Sequence, residues 1–142
     1  MKASDLFVKC LEEEGVSKIF GIPGEENADF MISLKKSKKI EFILCRHEQS
    51  AAFMADVYGR LTGKAGVCLA TLGPGVTNLM TGLADANMDR APVVAIIGQG
   101  STSRLHKESH QIMDSIGMVG PISKWAQTIL SPKNVTEVVR KA

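Results

Sequence analysis

Aromatic residues are scarce: five Phe, one Tyr and one Trp make up 5% of the 142 residues. Nucleic-acid binders interleave aromatics with clustered cations, and the one dense basic run, Lys35, Lys36, Lys38 and Lys39, contains none. That run reads instead as a solvated helix end whose lysines complement the C-terminal dipole. Charge is nearly balanced, at 17 basic against 15 acidic residues, so composition points to neither a nucleic-acid nor a membrane partner. Cysteine is rare too. Cys10, Cys45 and Cys68 are odd in number, form no CxxC pair and sit among apolar neighbours. That excludes a disulfide framework or zinc site and predicts reduced, buried, intracellular thiols. No stretch approaches the ~18 apolar residues of a membrane span, and the opening Met1-Lys2-Ala3-Ser4-Asp5 has no signal-peptide core. A soluble cytoplasmic protein is expected. No internal repeat is found. What remains is ordinary: 44% hydrophobic and 23% charged residues, suited to a single domain with one core.

Apolar periodicity predicts helices alternating with short strands. Leu6, Phe7, Cys10 and Leu11 mark a first helix, with Ser4 or Asp5 as N-cap and Gly15 as its end. Residues 18–22 form a strand broken by Pro23-Gly24. A second helix is expected over about 25–36, with acidic residues first and lysines last. Residues 41–46 form the next strand, and a helix over 47–61, rich in Ala51, Ala52 and Ala55, is suited to close packing. Residues 66–71 and 92–97 are nearly continuous apolar strands separated by a helix over 76–88. Ser101 to Gly120 reads as a polar loop with a short helix. Pro132 to Ala142 reads as an unfinished helix capped by Asn134 or Thr136. Strands apolar on both faces and alternating with helices imply a doubly wound α/β fold: a mainly parallel sheet with helices on both faces. Its ligand crevice lies beyond the carboxyl ends of the strands.

Several turns at those ends are candidates for chemistry. Glu48 opens a helix directly after a strand; it either complements the helix dipole or, desolvated by Ala51, Phe53 and the neighbouring strands, handles a proton. The turn Gly73-Pro74-Gly75 precedes a helix but lacks the Lys-Ser/Thr ending of a Walker A loop and is not GxGxxG, so a phosphate cradle is a weak reading. Proline stiffness and glycine openness suit a flat ring lying on the main chain, with Asn78 one turn further on. His47, His106, His110 and Glu108 lack the spacing of a metal site, and no metal ligand is assigned. GxSxG is absent, so a serine hydrolase is not indicated. Cys45 and Cys68 lie within strands, where packing outweighs nucleophilic use.

Four blocks, residues 20–27, 46–56, 71–79 and 85–94, resemble in order and spacing the N-terminal, pyrimidine-binding domain of thiamine-diphosphate enzymes of the acetolactate synthase and pyruvate oxidase group. Residues 62–67 and 89–94 are most similar to the acetolactate synthase large, catalytic subunit. The resemblance implies that Glu48 hydrogen-bonds N1′ of the cofactor aminopyrimidine and, by sharing a proton there, favours the imino form that can take up the thiazolium C2 proton. It places Ile22, Pro23 and Gly24 against the pyrimidine, Thr71, Pro74 and Asn78 around the same pocket, and Gln111 near the active centre. His110 stands where many acetolactate synthases carry phenylalanine, which bears on the second substrate. Glu48 separates the chain from the glyoxylate carboligase branch.

The implied reaction decarboxylates pyruvate and transfers two carbons to a second 2-oxo acid. The resemblance further implies magnesium held by a C-terminal diphosphate-binding domain through a Gly-Asp-Gly motif absent here, a middle domain that in some relatives binds FAD, and a homodimer or homotetramer formed through the pyrimidine/diphosphate domain interface. Residues 1–142 then form a single pyrimidine-binding domain truncated within its last helix, inactive by itself. Pyruvate oxidase, another 2-oxo-acid decarboxylating thiamine enzyme, and a non-catalytic nucleotide-binding module are the alternatives.

Overall fold

The computed structural model describes residues 1–105 and 107–142. Four strands, β1 (Lys18–Gly21), β2 (Glu41–Leu44), β3 (Gly66–Ala70) and β4 (Val93–Ile97), form one sheet in the order β2-β1-β3-β4. Every pairing is parallel, with Phe20 opposite Ile43 and Cys68, and Cys68 opposite Ala95. The helices are α1 (Ala3–Glu13), α2 (Ala28–Leu34), α3 (Glu48–Thr62), α4 (Pro74–Met88), α5 (Ser115–Val119) and α6 (Val135–Lys141).

Strand side chains alternate between two apolar layers, as the period of two requires. Ile19, Val67 and Leu69 enter one layer with Val8 and Leu11 of α1 and Phe30 and Leu34 of α2, and Val139 of α6 packs against it. Phe20, Cys68 and Ala70 enter the other with Ala51, Ala52 and Ala55 of α3 and Leu79 of α4. The three alanines are fully buried, and a Cβ placed on Gly82 of α4 would lie 2.6 Å from the Ala52 Cβ. Small residues on both helices therefore set a short α3 to α4 distance. Further along, Asp56, 2% exposed, receives two hydrogen bonds from Arg60, at 2.8 and 2.7 Å. Arg60 also reaches Asp85 and Asp89 at 3.2 and 2.7 Å, tying α3 to the end of α4.

The doubly wound α/β architecture is thus present, with several local differences. Lys2, not Ser4 or Asp5, caps α1, and its backbone N–H donates to the Asp5 carboxylate. Gly15, at φ +77°, follows that helix as expected. Residues 25–27 form a 3-10 turn, so the α-helix starts at Ala28 and ends at Leu34. The lysine run therefore lies beyond the helix, and two of its members pair elsewhere: Lys36 with Asp5 at 3.1 Å and Lys39 with Glu13 at 3.7 Å. Strands β1 and β2 stop at Gly21 and Leu44, before the turns that follow them, and α4 begins two residues early, with Pro74 in its first turn. Asn134 precedes α6 but makes no side-chain cap, because Ser131 caps the 3-10 turn ahead of it. Cys10 is only partly buried.

Candidate functional site

From β1 the chain moves outward to β2 on one side and through β3 to β4 on the other, so the order reverses beside β1. A crevice is expected outside the carboxyl ends of the strands at that reversal. The turns after β1 and β3 flank it and touch. A Cβ on Gly24 would lie 2.5 Å from the Thr71 Cβ, so only glycine lets the two turns approach. Asn27, 4% exposed, closes the first turn by accepting from the Gly24 N–H at 2.9 Å and donating to the Ile22 carbonyl at 3.4 Å. Gly73 adopts φ +59°, which places Pro74 at the start of α4. Proline is favoured there because its missing N–H would have no helical partner.

Glu48 is the first residue of α3. Before it, His47 caps the helix, its Nδ1 accepting from the Gln49 N–H at 3.2 Å. The Glu48 residue is only 8% exposed, and Oε2 accepts a hydrogen bond from Asn78 Nδ2 at 2.9 Å. Among the described residues, none donates a hydrogen bond to Oε1. A Cβ on Gly75 would sit 3.4 Å from that oxygen and 3.3 Å from Thr71 Cγ2. Glycine thus leaves a small cradle bordered by carboxylate and methyl. Burying a carboxylate is costly unless it is paired. Oε1 itself is not sealed off, since Ser115 Oγ is the buried side-chain polar atom left without a partner among the described residues, so a ligand N–H can reach it. That is the donor chemistry of an aminopyrimidine ring nitrogen sharing a proton.

The expected site residues separate into three groups. Glu48, Thr71 and Asn78 converge on the cradle beside Gly75, and Gly24 adjoins it through its contact with Thr71, while Ile22 packs against the layer of Phe20 and Ala51. Pro74 is exposed at the start of α4, and Pro23 is exposed in the first turn. Gln111 arrives through its backbone: a Cβ on Gly73 would meet its carbonyl oxygen at 2.7 Å, and Gln111 itself has φ +55°. A non-glycine residue in that region carries strain, a feature that clusters at functional sites. His110 is exposed beside it. His106, one of the histidines weighed as a metal ligand, lies outside the described residues. Among the described residues, no three His, Cys, Asp or Glu side chains gather as they would around a metal. Cys68 is a core thiol that burial pushes up to about 12, and burial also raises Cys45.

Sequence reasoning assigned no role to Asn27 or Gly82. An Asn three residues after a Pro-Gly turn is a recognisable turn-closing signal. Gly82 offers none, because its importance depends on what faces it. A cavity of about 1780 Å³ opens on the α1, α2 and α6 side, walled in part by Phe7, Phe30, Val94 and Trp125. Glu48, Thr71 and Asn78 are not among its walls, but Glu26, Asn27 and Gly98 are, so it runs up to the strand ends beside the crevice.

The family described as "Thiamine pyrophosphate enzyme, N-terminal TPP binding domain" matches residues 1–118. The chain is 44% identical over 141 residues to an acetolactate synthase of Bacillus subtilis, covering 99% of this chain and 25% of that protein. It is 43% identical over 142 residues to a probable acetolactate synthase large subunit of Methanocaldococcus jannaschii, covering 100% of this chain and 24% of that protein. It is 45% identical over 139 residues to a catabolic acetolactate synthase of Raoultella terrigena, covering 98% and 25%. The chain thus spans about a quarter of the length of these curated relatives. No described helix is long and apolar enough to cross a membrane. With its family match over most of the sequence, the chain belongs to the thiamine pyrophosphate enzymes as an N-terminal TPP-binding domain, similar over its length to that part of acetolactate synthases.

Proposed function

We propose that this domain holds and activates the aminopyrimidine of thiamine diphosphate within an acetolactate synthase-like enzyme that decarboxylates pyruvate and transfers the two-carbon unit to a second 2-oxo acid. The observation that carries the reading is the Glu48 carboxylate, buried at the start of α3 with Oε2 held by Asn78 and Oε1 free to meet a ring N–H. The cofactor, when bound, supplies the carbanion chemistry that releases carbon dioxide from one 2-oxo acid and passes two carbons to another. Glu48 shares a proton with the ring through Oε1, and the Asn78 amide fixes the carboxylate's orientation. The Thr71 methyl and the backbone at Gly24 and Gly75 give the flat ring an apolar seat that excludes water. Gln111 and His110 lie on the substrate side, where His110 tunes the second-substrate preference.

Residues 1–142 act as a single pyrimidine-binding domain, and protein outside them holds the diphosphate and its magnesium. The active assembly is a homodimer or homotetramer in which those parts meet this crevice. Three unpaired thiols suit the reducing cytoplasm. The test is Glu48→Gln in the whole synthase. Removing a positioned proton donor and acceptor costs about 10²- to 10⁴-fold in turnover, so acetolactate formation should fall by that factor while the melting curve stays near wild type. Activity within about threefold of wild type would overturn the reading, that being far less than general acid–base catalysis contributes.

A further inference from the structure

Glu25 and Glu26 look in sequence like first-turn acids that complement a helix dipole, but the helix starts only at Ala28 and Glu26 is engaged elsewhere. Its Oε2 accepts a hydrogen bond from Thr71 Oγ1 at 3.3 Å, across 45 residues of sequence. Its Cβ lies 3.5 Å from the Cβ position of Gly98, just past β4, and the Thr71 Cα lies 3.3 Å from that same position. Glu26 is therefore partly buried where the ends of β1, β3 and β4 meet, whereas Glu25 is exposed. Thr71 has one hydroxyl and one methyl on a stiff, branched Cβ, so fixing one fixes the other. With the hydroxyl turned to Glu26, Cγ2 stands 3.3 Å from the Cβ position of Gly75, and Glu48 Oε1 stands 3.4 Å from it.

We propose that Glu26 is a positioning residue: by accepting the Thr71 hydroxyl hydrogen it presents the Thr71 methyl, not the hydroxyl, to the aminopyrimidine pocket beside Glu48. This deepens the proposed function and rests on thiamine diphosphate being the ligand. Without the Glu26 acceptor, the threonine is free to rotate its hydroxyl toward the cradle. That would replace an apolar wall with a polar group competing for the Glu48 carboxylate.

Two substitutions separate reach from charge. Glu26→Gln keeps an acceptor oxygen at the same reach without the charge, and Glu26→Asp keeps the charge but is one methylene too short. Thiamine diphosphate affinity is measured in the whole synthase by titration without substrate, and turnover is measured separately at saturating cofactor. Glu26→Asp should weaken binding about tenfold, the scale of one hydrogen bond, and lower turnover at saturation too, because the freed Thr71 hydroxyl competes for Glu48. Glu26→Gln should bind within about threefold of wild type, less than the loss of that bond. Glu26→Ala, which removes the acceptor entirely, carries the same expectation as Glu26→Asp and serves if that variant does not fold. Equal effects of Gln and Asp, or wild-type affinity in the Asp or Ala variant, would overturn the proposal while leaving the cofactor reading intact. A wild-type synthase that does not bind thiamine diphosphate would overturn both.

Discussion

Gly82→Ala tests whether the packing of α3 on α4 builds the site. Gly82 lies one turn after Asn78, and Ala52 lies one turn after Glu48, so their contact sits directly behind the Glu48 to Asn78 hydrogen bond. The new methyl would start 2.6 Å from the Ala52 Cβ, 3.1 Å from the Phe53 amide nitrogen and 3.2 Å from the Ala52 carbonyl carbon. Two of these three atoms are backbone, so no rotamer change relieves the crowding. Restoring carbon–carbon contact to about 3.6 Å requires the helices to part by about 1 Å. The same displacement would stretch the 2.9 Å bond from Asn78 to Glu48 to roughly 3.9 Å, outside hydrogen-bonding range.

Two energies oppose each other in this variant. Alanine gains about 1 kcal/mol over glycine within a helix, and overpacking a tight core costs about 1–3 kcal/mol. With backbone on the far side of the clash the upper end of that range applies, leaving a net loss of about 2 kcal/mol. For a chain of this size the loss corresponds to a fall in Tm of roughly 4–8 °C. Melting followed by circular dichroism measures it, and cofactor titration should show weaker binding in parallel. Adding Ala52→Gly removes the worst clash, so the double variant should lose at least about 1 kcal/mol less than the sum of the two single losses, the coupling expected of side chains in direct contact. A Gly82→Ala protein that melts at or above the wild-type temperature, or a double variant whose loss equals the sum of the two singles, would refute this account of the helix contact.

Two further predictions concern titrating groups. The Ser33 hydroxyl, then Lys36, hold the Asp5 carboxyl at about 2 against an ordinary 3.8; since the folded value is the lower one, the stabilisation is complete above about pH 4 and is lost as pH falls toward 2. Asp5→Asn should flatten the acid limb of the stability curve over that interval, and an unchanged slope would contradict the assignment. Burial holds Cys68 at about 12 with no exposed surface, so alkylation at pH 8 should label partly buried Cys10 first and reach Cys68 only on unfolding. Labelling of Cys68 at the Cys10 rate in the native protein would show that the β3 layer opens far more readily than its packing implies.

The strands and the ends that carry chemistry were legible because their signals are local. Continuous apolar runs such as residues 66–70, with glycine and proline just beyond, announce a buried parallel strand whatever the rest of the chain does. Glu48 was equally legible as the residue that opens a helix after a strand. Asn78 was legible as a residue of the same pocket, but its hydrogen bond to Glu48 was not. Thirty residues separate Asn78 from Glu48, and their meeting depends on Gly82 and Ala52 bringing two helices close, which no periodicity reports. The acids at 25 and 26 were misplaced for the same reason: a helix-dipole reading uses neighbours in sequence, whereas Glu26 is satisfied by Thr71 from another turn.

The Gly73-Pro74-Gly75 turn shows why position and charge have to be read together. A glycine-rich turn entering a helix is ordinarily a place for phosphate, because free N–H groups and the dipole favour an anion. Here Pro74 removes one of those N–H groups, and Glu48 Oε1 lies 3.4 Å from the Cβ position of Gly75. A phosphate at this turn would face a carboxylate of like charge in a partly desolvated crevice, where repulsion is poorly screened. A neutral ring carrying an N–H meets no such penalty and can donate to that oxygen. The same carboxylate that disfavours a nucleotide phosphate therefore fits the proposal that this crevice takes the pyrimidine end of thiamine diphosphate.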